Sequence, residues 1–312
     1  MISMYCFGVD LGGTFIKFGL FDIEGNLIEK WDTPTVKETF FDDIAKNVLD
    51  KMSEKDIKKD DVKGVGVGVP GPVDGEGIVN GLVNLGLVGQ VNIKNILEEK
   101  LGGIKCIVGN DANVAAMGEM LEGGGKGYTD MVMITLGTGV GGGVIIGGKM
   151  LSGVTGGAGE IGHFPVNVDE QATCGCGKRG CLEQYASATG IVRVAKERAM
   201  KIKMPTKILE MEELTAKDVF DLAKEGDMVA IDAVEIAARY LGIATAAIAC
   251  TVNNKAFVVG GGVSRAGDFL LDKVKKYFNE YVFKPCSDVE FKLATLGNDA
   301  GIYGGAALVI KE

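Results

Sequence analysis

The sequence predicts an α/β protein built from two copies of one unit. Three observations carry this. Each half opens on a meander of three short apolar strands. Helices and strands alternate after each meander, and a glycine-rich hairpin occupies the same place in both halves. Ligands of such folds bind in the crevice beyond the carboxyl ends of the strands.

In the first half, residues 5–10 read as a strand. Residues 14–21 alternate apolar with small or polar side chains, and Gly25-Asn26 is the turn signal before 27–31. Residues 38–53 have helical spacing, and 54–61 form a charged, solvated loop. Residues 65–69 are a buried strand ended by Pro70, Gly71 and Pro72. A helix over 92–101, a strand over 104–109 and a helix over 112–121 follow, and Gly123 to Gly125 mark a hinge. The second half repeats the plan with strands at 130–136, 140–146 and 149–151. Helices follow at 182–200 and 215–223, with a long apolar helix at 227–251. A strand at 255–260, a helix at 266–280, a strand at 289–294 and an Ala- and Gly-rich helix at 299–310 complete it.

The 312 residues suit two domains. Hydrophobic residues at 46% and charged residues at 24% give an ordinary globular balance. The formal charge of −9 argues against a nucleic-acid partner, which needs a basic face to neutralise phosphates. The 48 glycines are about twice the usual share and cluster where backbone must turn tightly or approach a ligand. Residues 1–10 run directly into an apolar strand, without the pattern of a secretory signal. The longest uncharged run, Met131 to Gly148, has the length of a membrane span, but glycines and Thr135 and Thr138 interrupt it. It reads as two buried strands and a turn. A cytoplasmic chain without a membrane partner is expected, its seven cysteines reduced and any tight Cys cluster a metal site.

Asp10, Gly12, Gly13, Thr14 and Lys17 occupy the first hairpin. The glycines let backbone N–H groups approach a phosphate, Thr14 adds a hydroxyl, and Asp10 suits a water-mediated Mg²⁺. Gly137, Thr138 and Gly139 hold the matching place in the second half. Their GxGxxG spacing is not the dinucleotide fingerprint, because a strand follows where the fingerprint opens a helix. Two such hairpins suit the two sides of a triphosphate. Gly260, Gly261 and Gly262 lie between a strand and a helix and leave room for a flat nucleoside ring, or are a plain strand–helix turn. Asn110-Asp111 ends a strand and begins a helix; it is an ordinary N-cap or the seat of a general base.

His163, Cys174, Cys176 and Cys181 have the spacing H-x10-C-x-C-x4-C. Three thiolates and one imidazole make a closed tetrahedral Zn²⁺ site, structural rather than catalytic. The rival is a redox CxC pair, which needs neither His163 nor Cys181. Glu160 and Glu183 bracket the cluster, and if a metal folds the loop back they converge with the imidazole to read vicinal hydroxyls. Cys6, Cys106 and Cys250 lie in apolar elements and are expected to be buried, and Cys286 has no partner in sequence.

With these motifs in place, the chain closely resembles the ROK family of sugar kinases and repressors along essentially its whole length. The match includes Asp10 to Lys17, Gly68 to Gly71, Asn84-Leu85, Asn110-Asp111, Leu136 to Gly143, Gly159 to Glu183, Gly260 to Gly262 and Gly297 to Gly301. The resemblance implies the actin/hexokinase-like ATPase fold, duplicated RNase H-like α/β domains with a central cleft. It implies an N-terminal domain of residues 1–118 and 300–312, and a C-terminal domain of 119–299 with the zinc segment 163–181. The motif set is most similar to that of ATP-dependent glucokinases, so it implies phosphorylation of a hexose 6-hydroxyl, glucose first, with ATP, Mg²⁺ and structural Zn²⁺. In that scheme Asp111 is the base. Asn110, Glu160, His163 and Glu183 hold other hydroxyls, with Gly71 and Asn84 near the sugar. His163 would bond zinc by one nitrogen and sugar by the other. Family precedent is a homodimer, sometimes a tetramer. An N-acetylmannosamine or fructose kinase is the alternative within enzymes. A sugar-sensing repressor is opposed by the intact phosphate motifs and by Asp10 standing so early, and an actin-like filament protein by the zinc segment.

Overall fold

The structure, a computed structural model, describes residues 4–82 and 85–312. Asn84 lies outside the described residues. In chain order the elements are β1 (Tyr5–Leu11), β2 (Phe15–Asp22), β3 (Leu27–Pro34), α1 (Phe40–Glu54), β4 (Val62–Val69), β5 (Ile78–Leu82) and β6 (Leu87–Asn92). Then come α2 (Ile93–Lys100), β7 (Cys106–Asn110), α3 (Asp111–Glu122), β8 (Met131–Leu136), β9 (Val140–Ile146) and β10 (Lys149–Met150). The remainder is α4 (Glu183–Ala186), α5 (Ala188–Lys201), α6 (Ala216–Lys224), α7 (Met228–Val252), β11 (Ala256–Gly260), α8 (Asp268–Tyr281), β12 (Glu290–Leu293) and α9 (Ala300–Ile310).

Two compact units result. One comprises Met1–Thr129, Gly143–Gly159 and Thr295–Glu312; the other comprises Asp130–Gly142 and Glu160–Ala294. The boundary expected at 118/119 falls inside α3, whose Met117, Gly118, Glu119 and Met120 are buried on one continuous helix. The chain leaves the first unit only after Thr129. The C-terminal helix belongs to the first unit.

The first unit holds a sheet of order β3-β2-β1-β4-β7, antiparallel on the β3 side and parallel from β1 to β7. Strand alternation divides its side chains. Phe7, Val9 and Leu11 face a core with Phe40, Ile44 and Val48 of α1 and Ile93 and Leu97 of α2. Cys6 faces α9 through Ile302, Ala306 and Val309. Gly8 and Asp10 share that face by register. A Cβ at Gly8 would lie 1.8 Å from the Ile302 carbonyl oxygen, and one at Gly66 1.9 Å from that of Gly305. Only glycine lets α9 lie against β1 and β4. That contact carries Gly301 of α9 up to the Asp10 carboxylate, where a Cβ would be 2.6 Å from Cγ.

The second sheet has the order β10-β9-β8-β11-β12, and the division between units falls inside β9. In the second unit β11 pairs in parallel with both β8 and β12. The run 131–148 forms β8, a turn and the hairpin strand β9, as its glycines require. Helix α7 is long and apolar enough to cross a membrane by length and composition, but 61% of its most apolar stretch is buried in the protein. It packs against α5, α6 and α8 as a core helix.

Three local readings change. The helix expected over 182–200 is two helices, because Ser187 is extended (φ −73°, ψ 163°) and its hydroxyl caps α5 by accepting the Gly190 N–H at 2.9 Å. The hairpin β5–β6 went unread, since Gly75, Gly77, Gly81, Gly86 and Gly89 obscure its strand pattern. Cys6 and Cys106 are buried, but Cys250 is exposed in the last turn of α7.

Candidate active site

In the first unit Asp10 stands near the end of β1, opposite Lys17 on β2. Lys17 Nζ lies 3.4 Å from Asp10 Oδ2 and donates to the Asn298 carbonyl at 3.1 Å. The hairpin between them is closed by Gly12 N–H to the Phe15 carbonyl, and the Thr35 hydroxyl donates to the Gly12 carbonyl at 2.7 Å. Gly13 and Thr14 are exposed at its tip, and no heavy atom lies within 4 Å of where a Gly13 Cβ would be. The tip is open backbone beside one carboxylate and one ammonium, an arrangement suited to a phosphate and its counterion.

The same unit holds Asn110 and Asp111 where β7 passes into α3. Asn110 is the N-cap, its Oδ1 accepting the Ala112 and Asn113 N–H groups at 3.0 and 3.1 Å. Its Nδ2 donates to the Gly71 carbonyl at 3.0 Å and to Asp111 Oδ1 at 3.0 Å. Asp111 Oδ1 also accepts the Ala112 N–H at 2.8 Å. The N-cap and base readings therefore divide between two adjacent residues: Asn110 caps, and exposed Asp111 presents a carboxylate oriented by Asn110 and the helix amides.

In the second unit the four metal-ligand candidates converge. The donor atoms of His163, Cys174, Cys176 and Cys181 all lie within 4.8 Å of one another. Cys176 and Cys181 sulfurs are 3.6 Å apart, and Cys174 Sγ is 3.9 Å from His163 Nδ1. A tetrahedral zinc with three thiolates and an imidazole has ligand–ligand edges of about 3.5–3.8 Å. The amide of Lys178 pulls the Cys176 thiol down, whereas burial pushes that of Cys181 up to about 12. A divalent cation, when bound, holds such sulfurs as thiolates. The donor set fits zinc, with His163 and Cys181 both in place, against the redox pair.

His163 turns Nδ1 to the thiols and Nε2 to Glu160, 4.0 Å from Oε2. Glu183 Oε1 lies 3.8 Å from Cys174 Sγ, and its Oε2 accepts the Val140 N–H at 3.0 Å. The loop thus brings Glu160 to one ring nitrogen of His163 and Glu183 to the Cys174 sulfur.

The Gly137-Thr138-Gly139 turn is closed by Gly137 N–H to the Gly139 carbonyl, and α5 meets it through Ala188 N–H to Gly137 and the Thr189 hydroxyl to Thr138. Gly260 ends β11, and Gly261 (φ +85°) turns against the Leu136 carbonyl, which a Cβ would approach to 2.5 Å. Exposed Gly262 edges a cavity of about 350 Å³ lined also by Thr215, Phe220, Lys224, Val263 and Arg265.

Sequence reading missed Glu119. This fully buried carboxylate accepts N–H bonds from Gly124 at 2.7 Å, Thr295 at 3.1 Å and Leu296 at 2.9 Å. It joins two segments next to the points where the chain leaves and re-enters the first unit. The acid in a helical pattern gave no signal of this, because two of its donors lie 176 and 177 residues away.

The ROK family model matches residues 6–312. A glucokinase of Halalkalibacterium halodurans is 44% identical over all of this chain and 97% of its own length. A ROK hexokinase of Thermus thermophilus superposes with a TM-score of 0.81 at 32% identity, over 98% of this chain and 97% of the other. A ROK glucokinase of Streptomyces griseus, solved with glucose and AMPPNP, gives 0.72 at 35% identity, over 99% and 100%.

Proposed function

The chain belongs to the ROK family and has the actin/hexokinase-like ATPase fold, and from that premise we propose that it transfers the terminal phosphoryl group of ATP to the 6-hydroxyl of glucose. One observation carries the sugar reading: a single imidazole faces the thiol cluster by Nδ1 and the Glu160 carboxylate by Nε2. The full-length likeness to a glucokinase supports glucose, and the AMPPNP held by the Streptomyces griseus enzyme supports ATP as donor.

Phosphoryl transfer needs positioning, charge neutralisation and a base rather than covalent help. Asp111 takes the proton of the 6-hydroxyl as phosphorus is attacked. Its carboxylate is pre-oriented by Asn110 Nδ2 and the Ala112 amide, so no reorganisation is needed at that moment. Asn110 and Gly71 are assigned to the sugar side, and Glu160, His163 and Glu183 to its other hydroxyls. Asp10, Gly12, Gly13, Thr14 and Lys17, with Gly137, Thr138 and Gly139, hold the phosphates. Gly260, Gly261 and Gly262 with the adjoining cavity take the nucleoside. Magnesium, when bound, neutralises phosphate charge, and Asp10 would hold it. His163, Cys174, Cys176 and Cys181 would hold zinc, which when bound would fix the imidazole and so the sugar side of the site.

We place the enzyme in the cytoplasm as a homodimer without nucleic-acid or membrane partners. A tight Cys cluster suited to metal fits a reducing compartment, and the charge of −9 disfavours phosphate backbones. The test is kcat/KM for glucose against N-acetylmannosamine, N-acetylglucosamine and fructose under one set of conditions. Glucose should lead, because a site built to bond a hydroxyl leaves buried groups unpaired with an analogue lacking it. A higher value for any of the other three overturns the glucose assignment.

A further inference from the structure

The metal ligands fix the two ends of the ten-residue stretch between His163 and Cys174, but no ligand fixes its middle. The middle is nevertheless tied down. Glu170 Oε2 accepts the Tyr185 hydroxyl at 2.5 Å and Arg193 Nη2 at 3.0 Å, while Oε1 accepts the Ala172 N–H at 2.9 Å. Asn167 Nδ2 donates to the Tyr185 oxygen at 2.8 Å. Arg193 Nη2 also donates to the Gln184 carbonyl at 2.9 Å. The Gln184 side chain closes the circuit, donating to the Ala172 carbonyl at 3.0 Å and accepting the Cys181 N–H at 3.1 Å. Tyr185 packs on Tyr240 of α7 with ring centroids 4.3 Å apart, and the Arg193 guanidinium lies 5.3 Å from the Tyr185 ring centre.

None of Glu170, Tyr185 or Arg193 is among the metal or sugar residues. An exposed ion pair four residues apart on a helix, such as Arg193 with Glu197 alone, contributes little. Here the guanidinium also reaches a carboxylate that is only 13% exposed and a backbone carbonyl next to Glu183, and a planar fork serves such a set as an ammonium cannot.

We propose that Arg193 is a positioning residue which, through Glu170, Tyr185 and Gln184, fastens residues 166–172 to α4 and α5 independently of the metal. The fastening keeps His163 and Glu183 in register for the sugar. This rests on the sugar-site reading above, and the test separates the two. In the full-length protein, Arg193→Met should keep the wild-type zinc content but release it to a chromophoric chelator about tenfold faster or more. KM for glucose should rise about fivefold with KM for ATP within about twofold, and Arg193→Lys should fall between variant and wild type. Deuterium exchange over 166–172 in zinc-stripped protein should stay slow in the wild type and become fast in Arg193→Met. Zinc release and loop exchange both within about twofold of wild type would overturn the proposal. If Arg193→Met does not fold, Tyr185→Phe, which loses the bonds to Glu170 and Asn167 but keeps the ring, faces the same criteria. A wild-type protein without zinc would defeat the metal assignment alone, since the exchange of 166–172 still decides the fastening.

Discussion

Glu183 accepts the backbone N–H of Val140 at 3.0 Å. That bond ties a carboxylate 3.8 Å from the Cys174 sulfur to the hairpin strand that follows the Gly137-Thr138-Gly139 turn. The approach is so close that a Cβ at Gly139 would lie 2.3 Å from Glu183 Oε2. Gly139, singled out in sequence for phosphate, thus meets a second demand: it leaves room for the Glu183 carboxylate.

Asp111→Ala should lower kcat by roughly 10²–10⁴-fold while the fold survives, since Asn110 still caps α3. Turnover within about threefold of wild type would exclude Asp111 as the base. Asp10→Asn makes the contrast: turnover should fall severely while calorimetry finds glucose affinity nearly intact. Loss of glucose binding by folded Asp10→Asn would move this residue off the nucleotide side.

Metal analysis of protein purified without chelators should give about one zinc per chain, and Cys176→Ser should lose metal and glucose affinity together. Metal-free wild-type protein would overturn the assignment of His163, Cys174, Cys176 and Cys181.

Burial raises the Glu170 carboxyl, but the Tyr185 hydroxyl, the Ala172 amide and Arg193 outweigh it and hold it at about 2, against 4.5 for the free group. A depressed folded pKa gives stability that is fully present above the unfolded value and lost as pH falls through the folded one. The melting-temperature advantage of wild type over Glu170→Gln should therefore be constant above about pH 5 and shrink steadily toward pH 2. An advantage that does not change with pH across that window would show that the ionised carboxylate is not what stabilises the loop.

Gly66→Ala should destabilise by about 3 kcal/mol or more, because its Cβ meets backbone, 1.9 Å from the Gly305 oxygen, and α9 must move off the sheet. Gly75→Ala, with no heavy atom within 4 Å of the added Cβ, should leave the melting temperature nearly unchanged. Equal melting temperatures for the two variants would disprove the close packing of α9.

Sequence alone determined what depends on neighbours along the chain. Strand alternation gave β1 and β2, the H-x10-C-x-C-x4-C spacing gave the ligand cluster, and Asn110 before a helical pattern gave the cap, since each needs only residues within a turn or a short loop. Tertiary structure decided what depends on residues far apart. Glu119 reads as one more acid on a helix until Thr295 and Leu296 bring their N–H groups to it. Arg193 reads as a solvated charge until Glu170 folds back onto it, and Gly8 and Gly66 read as weak strand positions until α9 lies across them. The helix over 182–200 breaks at Ser187 although its periodicity runs on, because the Ser187 hydroxyl bonds the Gly190 amide and the Gly137 carbonyl takes the Ala188 N–H. A pattern of residue types records local preference; which buried donor meets which acceptor is set only when distant segments are packed together, since each such group must find a partner on leaving water.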